Sequence, residues 1–136
     1  LTQQEHLTRH KLAEIFLDTF NFNAHSTAVD SLWAGLPVIT KMGEQCFARC
    51  AASILNAAGL PELVTKTDSE YEALALELAT NRKFLNTVTR KLESNRNTTP
   101  LFDTQRYTQN LEKAFEKAYD LYHNGSSPQN IHVQGR

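Results

Sequence analysis

The stretch FNFNAHSTAVDSLWAGLPVIT, residues Phe20 to Thr40, decides the fold of this chain. It predicts a loop, a helix that opens at His25-Ser26-Thr27, a stop at Gly35, and a strand from Leu36 to Thr40. The first backbone N–H groups of a helix are unpaired and carry a partial positive charge, so a helix N-terminus binds anions such as phosphate. The opening of this helix is therefore a candidate phosphate site.

Asp30 lies one helical turn, about 5 Å, beyond Ser26 and Thr27 on the same helical face. The two hydroxyls add to the phosphate site, and a carboxylate accepts hydrogen bonds from a sugar diol. A phosphate site beside a diol acceptor is the layout of a nucleotide pocket. The same residues also fit an ordinary N-cap followed by a solvated acid, and short motifs of this kind arise by chance. Spacing alone leaves both interpretations open.

A short apolar run, Ile15-Phe16-Leu17, precedes this stretch and predicts a buried parallel strand that ends at Asp18-Thr19. The loop from Phe20 to Ala24 then follows the C-terminal end of that strand. Ligands of open α/β sheets bind at this edge, so the predicted topology and the candidate site agree. Leu63-Val64 predicts a further, short edge strand.

The remaining sequence is typical of helices. We expect them over residues 3–14, over 46–58, from Asp68 or Ser69 onward, over 81–93 and over 103–122. Ser69 and Glu72 have the spacing of a capping box. The last helix carries an apolar stripe that predicts core packing or, for part of it, an exposed face. The stripe consists of Tyr107, Leu111, Phe115, Ala118 and Tyr122.

Three further side chains have structural interpretations. Trp33 is expected to pack in the core at the end of the central helix. Cys46 and Cys50, at i and i+4, are expected to be buried thiols, because such a helical pair seldom meets the geometry of a disulfide. No His/Cys cluster suitable for zinc lies near them in the sequence. Reduced thiols fit a cytoplasmic protein.

Length and composition favour one globular domain with a modest core. The chain has 136 residues, of which 40% are hydrophobic and 21% charged. Its formal net charge is −1 with both signs mixed, which argues against a nucleic-acid or anionic-membrane surface. No apolar run approaches the roughly 20 residues that cross a bilayer. Residues 126–136, after Asn124-Gly125, predict a flexible tail.

The longer stretch FLDTFNFNAHSTAVDSLWAGLPVIT resembles the donor-binding segment of the O-GlcNAc transferase family, inverting glycosyltransferases that often carry tetratricopeptide repeats. The family pattern is approximately LDT-x-x-x-N-x-H-T-T-x-x-D-x-L-W-A-G-x-P-x-V-T, and Ser26 replaces its first threonine. The resemblance covers roughly residues 3 to 125. It continues through Gly43-Glu44, Phe47 to Ser53, Gly59 to Leu63, Tyr71-Glu72, Pro100 to Thr104 and Tyr107.

The resemblance implies an α/β fold, the C-terminal part of a Rossmann-like donor-binding domain of a B-type glycosyltransferase, with a helix-rich C-terminal half. This partial domain is expected to span residues 1–125. By the same resemblance, His25, Ser26 and Thr27 contact the diphosphate of the donor, and Asp30 holds the ribose hydroxyls.

A second motif, Glu5-His6-Leu7-Thr8-Arg9, is similar to the family's E-H-x-x-R. In the family, the histidine stacks on uracil and the arginine lies near it, which assigns these places to His6 and Arg9. The family has a lysine three residues before the histidine, and Gln3 departs from it, so a nucleotide contact there is in doubt. A further phosphate-binding lysine and the residues proposed for catalysis lie upstream in the family. The resemblance therefore assigns no catalytic residue to this chain.

The resemblance implies the donor-binding part of a cytoplasmic enzyme that transfers N-acetylglucosamine from UDP-GlcNAc to Ser or Thr of an acceptor protein. No metal and no cofactor besides the donor substrate are expected. The chain is expected to be a piece of a longer protein, inactive alone, that works with an upstream catalytic domain and with tetratricopeptide repeats if the parent has them. Two alternatives stay open: a GDP-fucose-using O-fucosyltransferase of the Spindly type, and a non-catalytic nucleotide-sensing or protein-interaction module.

Overall fold

The strands of this chain form a small parallel sheet. A computed structural model describes residues 2–134. In it β1 (Phe16–Leu17), β2 (Val38–Lys41) and β3 (Val64–Thr65) lie side by side in that order. Phe16 pairs with Val38 and Thr40 pairs with Val64, both in parallel register. All three strands therefore end at the same edge of the sheet, as the sequence predicts. The expectation that β1 is buried is wrong, because β1 is an edge strand of the described sheet and leaves Leu17 59% exposed.

The described part of the chain contains six helices. They are α1 (Gln3–Arg9), α2 (Ser26–Ala34), α3 (Cys50–Ala57), α4 (Asp68–Thr80), α5 (Arg82–Asn95) and α6 (Thr104–His123). Short 3-10 turns lie at His10–Leu12, Cys46–Ala48, Pro61–Leu63 and Pro100–Phe102. The α/β class and the helix-rich C-terminal half are both confirmed.

The core lies between β2 and the helices that cover it. Val38 and Ile39 are fully buried, as expected for a strand whose two faces are covered by helices. One buried cluster joins the sheet to α2, α3, α4 and α5; its large members are Leu32, Val38, Ile39, Leu55, Leu60, Leu63, Leu78, Leu85, Val88 and Leu92. The cluster holds α2, and with it the candidate site, against the sheet.

The central helix ends where the sequence predicts. Gly35 has φ of 91°, the left-handed conformation in which glycine avoids the clash of a side chain. Its N–H donates to the carbonyl of Leu32, and the N–H of Leu36 donates to that of Ser31. This cap turns the chain directly into β2.

The predicted bounds of two helices are wrong. The helix expected over residues 3–14 ends at Arg9, and the 3-10 turn that follows leaves Leu12, expected on its apolar face, 88% exposed. The helix expected from Cys46 begins at Cys50 instead. Gly43 donates its N–H to the Ala48 carbonyl and approaches Ala48 so closely that a Cβ at residue 43 would lie 2.7 Å from its side chain. This tight turn delays the start of α3.

The cap of α4 also differs from the prediction. Thr67, not Asp68 or Ser69, is the N-cap, and its hydroxyl accepts the N–H of Glu70 at 3.2 Å. The capping box is therefore formed by Thr67 and Glu70 rather than by Ser69 and Glu72. Both pairs have the same spacing, but Thr67 has the extended backbone of an N-cap residue, whereas Ser69 already lies inside the helix.

We expect the capping box of α4 to make stability depend on pH. The N–H groups of Lys66 and Thr67 donate to the Glu70 carboxylate and hold its pKa below the ordinary value of 4.5. A lowered pKa in the folded state means that the stabilisation is present above the ordinary pKa and is lost as pH falls through the folded-state pKa. Glu70→Gln should lack this step.

Urea unfolding of both proteins at about pH 7 and about pH 3 measures the effect. The stability advantage of the wild type over Glu70→Gln should shrink on acidification. An advantage that does not change with pH would contradict the role of this carboxylate.

Trp33, expected in the core, is 45% exposed. One edge contact joins its ring to Phe102, with centroids 5.1 Å apart, and the guanidinium of Arg96 lies 5.6 Å from the ring centre. The indole therefore lies on the outer side of α2 and is not part of the buried cluster.

The two cysteines are free thiols, but the expectation that they are buried is wrong. Cys46 is exposed and Cys50 is half-buried, with its thiol donating to the Cys46 carbonyl. Cys46 lies in the 3-10 turn that the tight loop before α3 creates, so it does not share the buried face of that helix.

The last helix matches its predicted bounds within one residue but buries none of its residues. The apolar stripe is exposed, so the expectation of core packing is wrong and that of an exposed face is confirmed. The large exposed members of the stripe are Tyr107, Leu111, Phe115 and Tyr122. Tyr119, which is not part of the stripe, is exposed as well.

Residues 126–134 contain no helix or strand, and Lys117 donates to the carbonyl of His132 at 2.8 Å. The end of the predicted tail, residues 135–136, lies outside the described residues, and the domain boundary at residue 125 stays a prediction. Among residues 2–134, no helix is both long and apolar enough to span a membrane.

Candidate functional site

The loop between β1 and α2 (residues 18–25) begins with a buried carboxylate. Asp18 is 4% exposed. Its Oδ1 accepts the N–H of Thr19 at 2.9 Å and that of Ala24 at 2.7 Å, and its Oδ2 accepts the hydroxyl of Thr40 at 2.6 Å. Three donors offset the cost of burying a charged group. This carboxylate thus joins the end of β1, the far end of the loop, and β2.

Tyr71 of α4 forms a fourth hydrogen bond to this loop. Its hydroxyl donates to the backbone carbonyl of Asp18 at 3.0 Å. Burial raises the pKa of Tyr71, and the negative charge of Asp18 raises it further. The phenol therefore stays protonated and keeps donating over the physiological pH range.

Asn23 ties the same loop to the turn before α3. It is fully buried, and its side-chain amide donates to the carbonyl of Thr19 at 2.7 Å. Its backbone N–H donates to the carbonyl of Phe47 at 2.9 Å. Two loops that follow neighbouring strands are therefore locked together at the C-terminal edge of the sheet.

The helix α2 opens without a side-chain cap. His25 is the N-cap residue, and no side chain accepts a hydrogen bond from the first turn. Ser26 and Thr27 are exposed, and their backbone N–H groups find no acceptor among the described residues. The two free N–H groups and two hydroxyls are the donors that an anion at this end would use.

An aromatic cluster of Phe22, His25 and Phe47 borders this opening. The ring of Phe22 lies 5.0 Å from that of His25 and 5.1 Å from that of Phe47, and all three rings are within 16° of parallel. The Nε2 atom of His25 is buried and has no hydrogen-bond partner among the described residues. The cluster therefore fixes the imidazole beside the helix N-terminus.

A cleft of 490 Å³ lies in front of these groups. His25, Ser26 and Thr27, predicted together from the sequence, line it together. The floor is formed by the end of β1 and by the loop that carries Asp18 and Asn23. The cleft is thus at the edge of the sheet where ligands of open α/β folds bind.

His6 and Asp30, which come from separate motifs, meet between α1 and α2. The Nε2 atom of His6 lies 3.3 Å from Oδ2 of Asp30. Asp30 stays 39% exposed, so its carboxylate keeps room for a further donor such as a sugar hydroxyl. The pair lies one turn along α2 from Thr27, outside the residues that line the cleft.

Arg9 and Gln3 are the remaining positions of the first motif. Arg9 is exposed and makes no ion pair with the described residues, although it lies one helical turn from His6. Gln3 faces a separate crevice of 420 Å³ beside Trp33 and Arg96. The structure thus does not bring Arg9 or Gln3 into contact with the other predicted residues.

Two other features complete the surroundings. A larger, mostly apolar groove of 770 Å³ runs along the open edge of β1, away from the helix opening. Among residues 2–134, no group of three or more His, Cys, Asp or Glu side chains is arranged to hold a metal ion. The expectation that no metal is used stays a prediction.

The sequence did not reveal Asp18, Thr40, Tyr71 or Phe47 as members of the site region. Asp18 was visible as a polar residue directly after an apolar strand, which is a usable signal. Its partner Thr40 lies 22 residues away, and Tyr71 lies 53 residues away. Contacts over such separations depend on the pairing of the strands, which local patterns do not show.

Comparison with known proteins gives consistent matches. The sequence model of glycosyl transferase family 41 matches residues 1–111. The chain is 40% identical over 132 residues to "Probable UDP-N-acetylglucosamine–peptide N-acetylglucosaminyltransferase SEC" of Arabidopsis thaliana, covering 96% of this chain and 14% of that protein. It is 37% identical over 123 residues to the UDP-N-acetylglucosamine–peptide N-acetylglucosaminyltransferase of Caenorhabditis elegans, covering 90% and 11%.

The chain is also 33% identical over 124 residues to "Probable UDP-N-acetylglucosamine–peptide N-acetylglucosaminyltransferase SPINDLY" of Hordeum vulgare, covering 91% of this chain and 13% of that protein. Among solved structures, a mutant O-GlcNAc transferase of Thermobaculum terrenum matches with a TM-score of 0.85 and 28% identity, over 93% of this chain and 24% of that one. The chain thus has the fold of one segment of that enzyme and spans at most 14% of the length of these curated relatives.

Proposed function

Because the chain belongs to glycosyl transferase family 41, we propose that it is the donor-binding part of an O-GlcNAc transferase-type enzyme. That enzyme would transfer N-acetylglucosamine from UDP to Ser or Thr of a protein, with inversion. The observation that carries the proposal is the uncapped N-terminus of α2, where His25, Ser26 and Thr27 line one cleft beside the His6–Asp30 pair.

In this proposal the diphosphate of the donor lies at the opening of α2. The free N–H groups of Ser26 and Thr27 donate to it, and their hydroxyls and the His25 imidazole add further contacts. Negative charge grows on the diphosphate as the bond to the sugar breaks. A prearranged helix end that meets this charge stabilises the leaving group without a metal ion.

The nucleoside would extend along α2 toward α1. Asp30 accepts hydrogen bonds from the ribose hydroxyls on its exposed side, and His6 orients Asp30 from the other side. His6 then presents its ring to uracil, with Arg9 one turn away on the same helix. The six residues would thus follow the order phosphate, ribose, base from the opening of α2 toward α1.

The proposal leaves part of the reaction to groups outside this chain. No residue here is assigned as the base that takes the proton from the acceptor hydroxyl. We propose that an upstream catalytic domain supplies it and binds the acceptor protein, with tetratricopeptide repeats as a further upstream partner. A cytoplasmic location is part of the same proposal. These assignments rest on the family and on the small share of the relatives that the chain spans.

Two alternatives follow from specific observations. SPINDLY proteins are also among the relatives, and a GDP-fucose donor of the Spindly type would need a different base contact. The exposed stripe of α6 suits a non-catalytic interaction module. The names of both the SEC and the SPINDLY relatives state UDP-N-acetylglucosamine, which supports the UDP donor.

A titration with UDP, using GDP as the control, tests the proposal. We expect UDP to bind about tenfold or more tightly than GDP, the effect of about one base-specific hydrogen bond to a charged or buried group. Amide chemical shifts should move most at residues 24–30 and at His6. Preference for GDP would replace UDP by the Spindly-type donor. No response to either nucleotide would contradict donor binding by this chain.

A further inference from the structure

We propose that Asp18 is a positioning residue of the donor site, which holds the loop between β1 and α2 so that the first turn of α2 faces the cleft. The proposal rests on the proposed function for its consequence, but its geometry is independent of any ligand. Asp18 lies at the end of β1, whereas the groups it would position begin at His25.

The carboxylate closes the loop on itself. Oδ1 accepts two backbone N–H groups, one at the start of the loop on Thr19 and one at its end on Ala24. Ala24 directly precedes the N-cap residue His25. One oxygen atom thus sets the distance between strand end and helix start, and with it the direction in which the first N–H groups of α2 point.

The second oxygen atom anchors this arrangement to the sheet. Oδ2 accepts the hydroxyl of Thr40, which is fully buried in β2. The Asp18 oxygen atoms are occupied by these three donors, and the residue is 4% exposed. Asp18 lines the floor of the cleft, but its carboxylate is engaged with the loop and the sheet, so its proposed role is to position the loop.

The helix itself shows why the loop needs such a residue. α1, α4, α5 and α6 each have a side-chain cap at the N-terminus, whereas α2 and α3 have none, and of these two only α2 opens into the cleft. A side-chain cap would occupy the N–H groups that the ligand needs. Asp18 holds Ala24, one residue before the N-cap. The start of α2 is therefore fixed in place while its first N–H groups stay free for a ligand.

Thr40 allows a sharp test because its hydroxyl can be removed without changing its shape. Thr40→Val deletes the donor to Asp18, and Thr40→Ser restores it. Thr65→Val is the matched control: Thr65 is also buried, in the neighbouring strand, and its hydroxyl donates to the Thr40 carbonyl at 3.1 Å without touching the loop. Both valine variants lose one buried hydrogen bond of the sheet.

We expect Thr40→Val to weaken UDP binding about tenfold, and Thr40→Ser and Thr65→Val to bind UDP within about twofold of the wild type. Thr40→Val should be the less stable of the two valine variants, because it removes a hydrogen bond to a charged group, so UDP affinities are compared where urea unfolding shows both variants fully folded. Equal UDP affinity for Thr40→Val and Thr65→Val would overturn the proposal.

Asp18→Asn separates geometry from charge. Its amide can keep the same contacts, since Oδ1 accepts from Thr19 and Ala24 while Nδ2 donates to the Thr40 hydroxyl, which then accepts. We expect Asp18→Asn to bind UDP at least as well as Thr40→Val does, and Asp18→Ala to bind more weakly than both. Asp18→Ala binding as tightly as wild type would also overturn the proposal.

Ligand-free amide shifts make this outcome independent of the proposed function. In Thr40→Val, the amide chemical shifts of residues 24–27 should differ from those of the wild type. In Thr65→Val, the shifts of the same residues should equal those of the wild type. If the wild type does not bind UDP, the proposed function fails. These ligand-free shifts still test whether Asp18 positions the loop. Unchanged shifts at residues 24–27 in Thr40→Val would refute the positioning role whatever the ligand.

Discussion

Replacing His25 with alanine is expected to weaken UDP binding roughly 10- to 100-fold. The imidazole stands at the N-terminus of α2, where it borders the cleft and stacks on Phe22 and Phe47. A hydrogen bond to a charged group contributes about 1.5–3 kcal/mol, and about 1.4 kcal/mol corresponds to a tenfold change in affinity. Loss of the ring also frees the two phenylalanines that frame the opening.

Calorimetric titration with UDP measures this effect, and His123→Ala is the matched control because His123 is exposed at the end of α6, far along the chain from the site. The control should bind UDP as the wild type does. Both variants should remain folded, since His25 is only half-buried and contacts two exposed rings. Wild-type affinity in His25→Ala would show that the imidazole has no role at the phosphate.

The largest effect on the fold is expected from Leu32→Ala, which should lower the free energy of unfolding by about 2–5 kcal/mol. Leu32 is fully buried on the inner face of α2 and belongs to the cluster that joins this helix to β2. Truncation removes apolar contacts and leaves a cavity. Domains of this size are stable by only about 5–15 kcal/mol in total, so the loss is a large fraction.

Urea denaturation followed by circular dichroism gives the free energy, with Leu76→Ala as the matched control. Leu76 lies in α4 and is 58% exposed, so its truncation should change stability by no more than about 0.5 kcal/mol. Equal losses for the two leucines would mean that α2 is not held by the buried cluster.

The elements around the site could be predicted because their signals are local. The run at residues 15–17 and the run at 36–40 are short, apolar and bounded by polar or turn residues, which predicts parallel strands. The second run is buried, whereas Leu17 of the first, which was expected to be buried, is exposed. Gly35 marks the end of α2 because its left-handed conformation is costly for other residues. One cleft is lined by His25, Ser26 and Thr27, because adjacent residues at the end of a helix lie close together.

Burial was harder to predict than secondary structure. Trp33, Cys46 and the stripe of α6 are hydrophobic, but each lies on a surface that no described element covers. Periodicity shows which face of a helix is apolar and not what packs against it. The pair of His6 and Asp30 was predicted as two separate contacts, and their direct approach required the packing of α1 on α2.

The helix α6 is attached to the rest of the molecule mainly through the turn at Pro100–Phe102 that precedes it. Because none of its residues is buried, its opening exposes little additional apolar surface, and the free energy of that local opening lies far below that of global unfolding. Amide hydrogens of α6 are therefore expected to exchange with solvent in an event that leaves the sheet and α2 intact. The order of the last 20-residue helix and the integrity of the cleft at the opening of α2 are therefore expected to be separate properties of this chain.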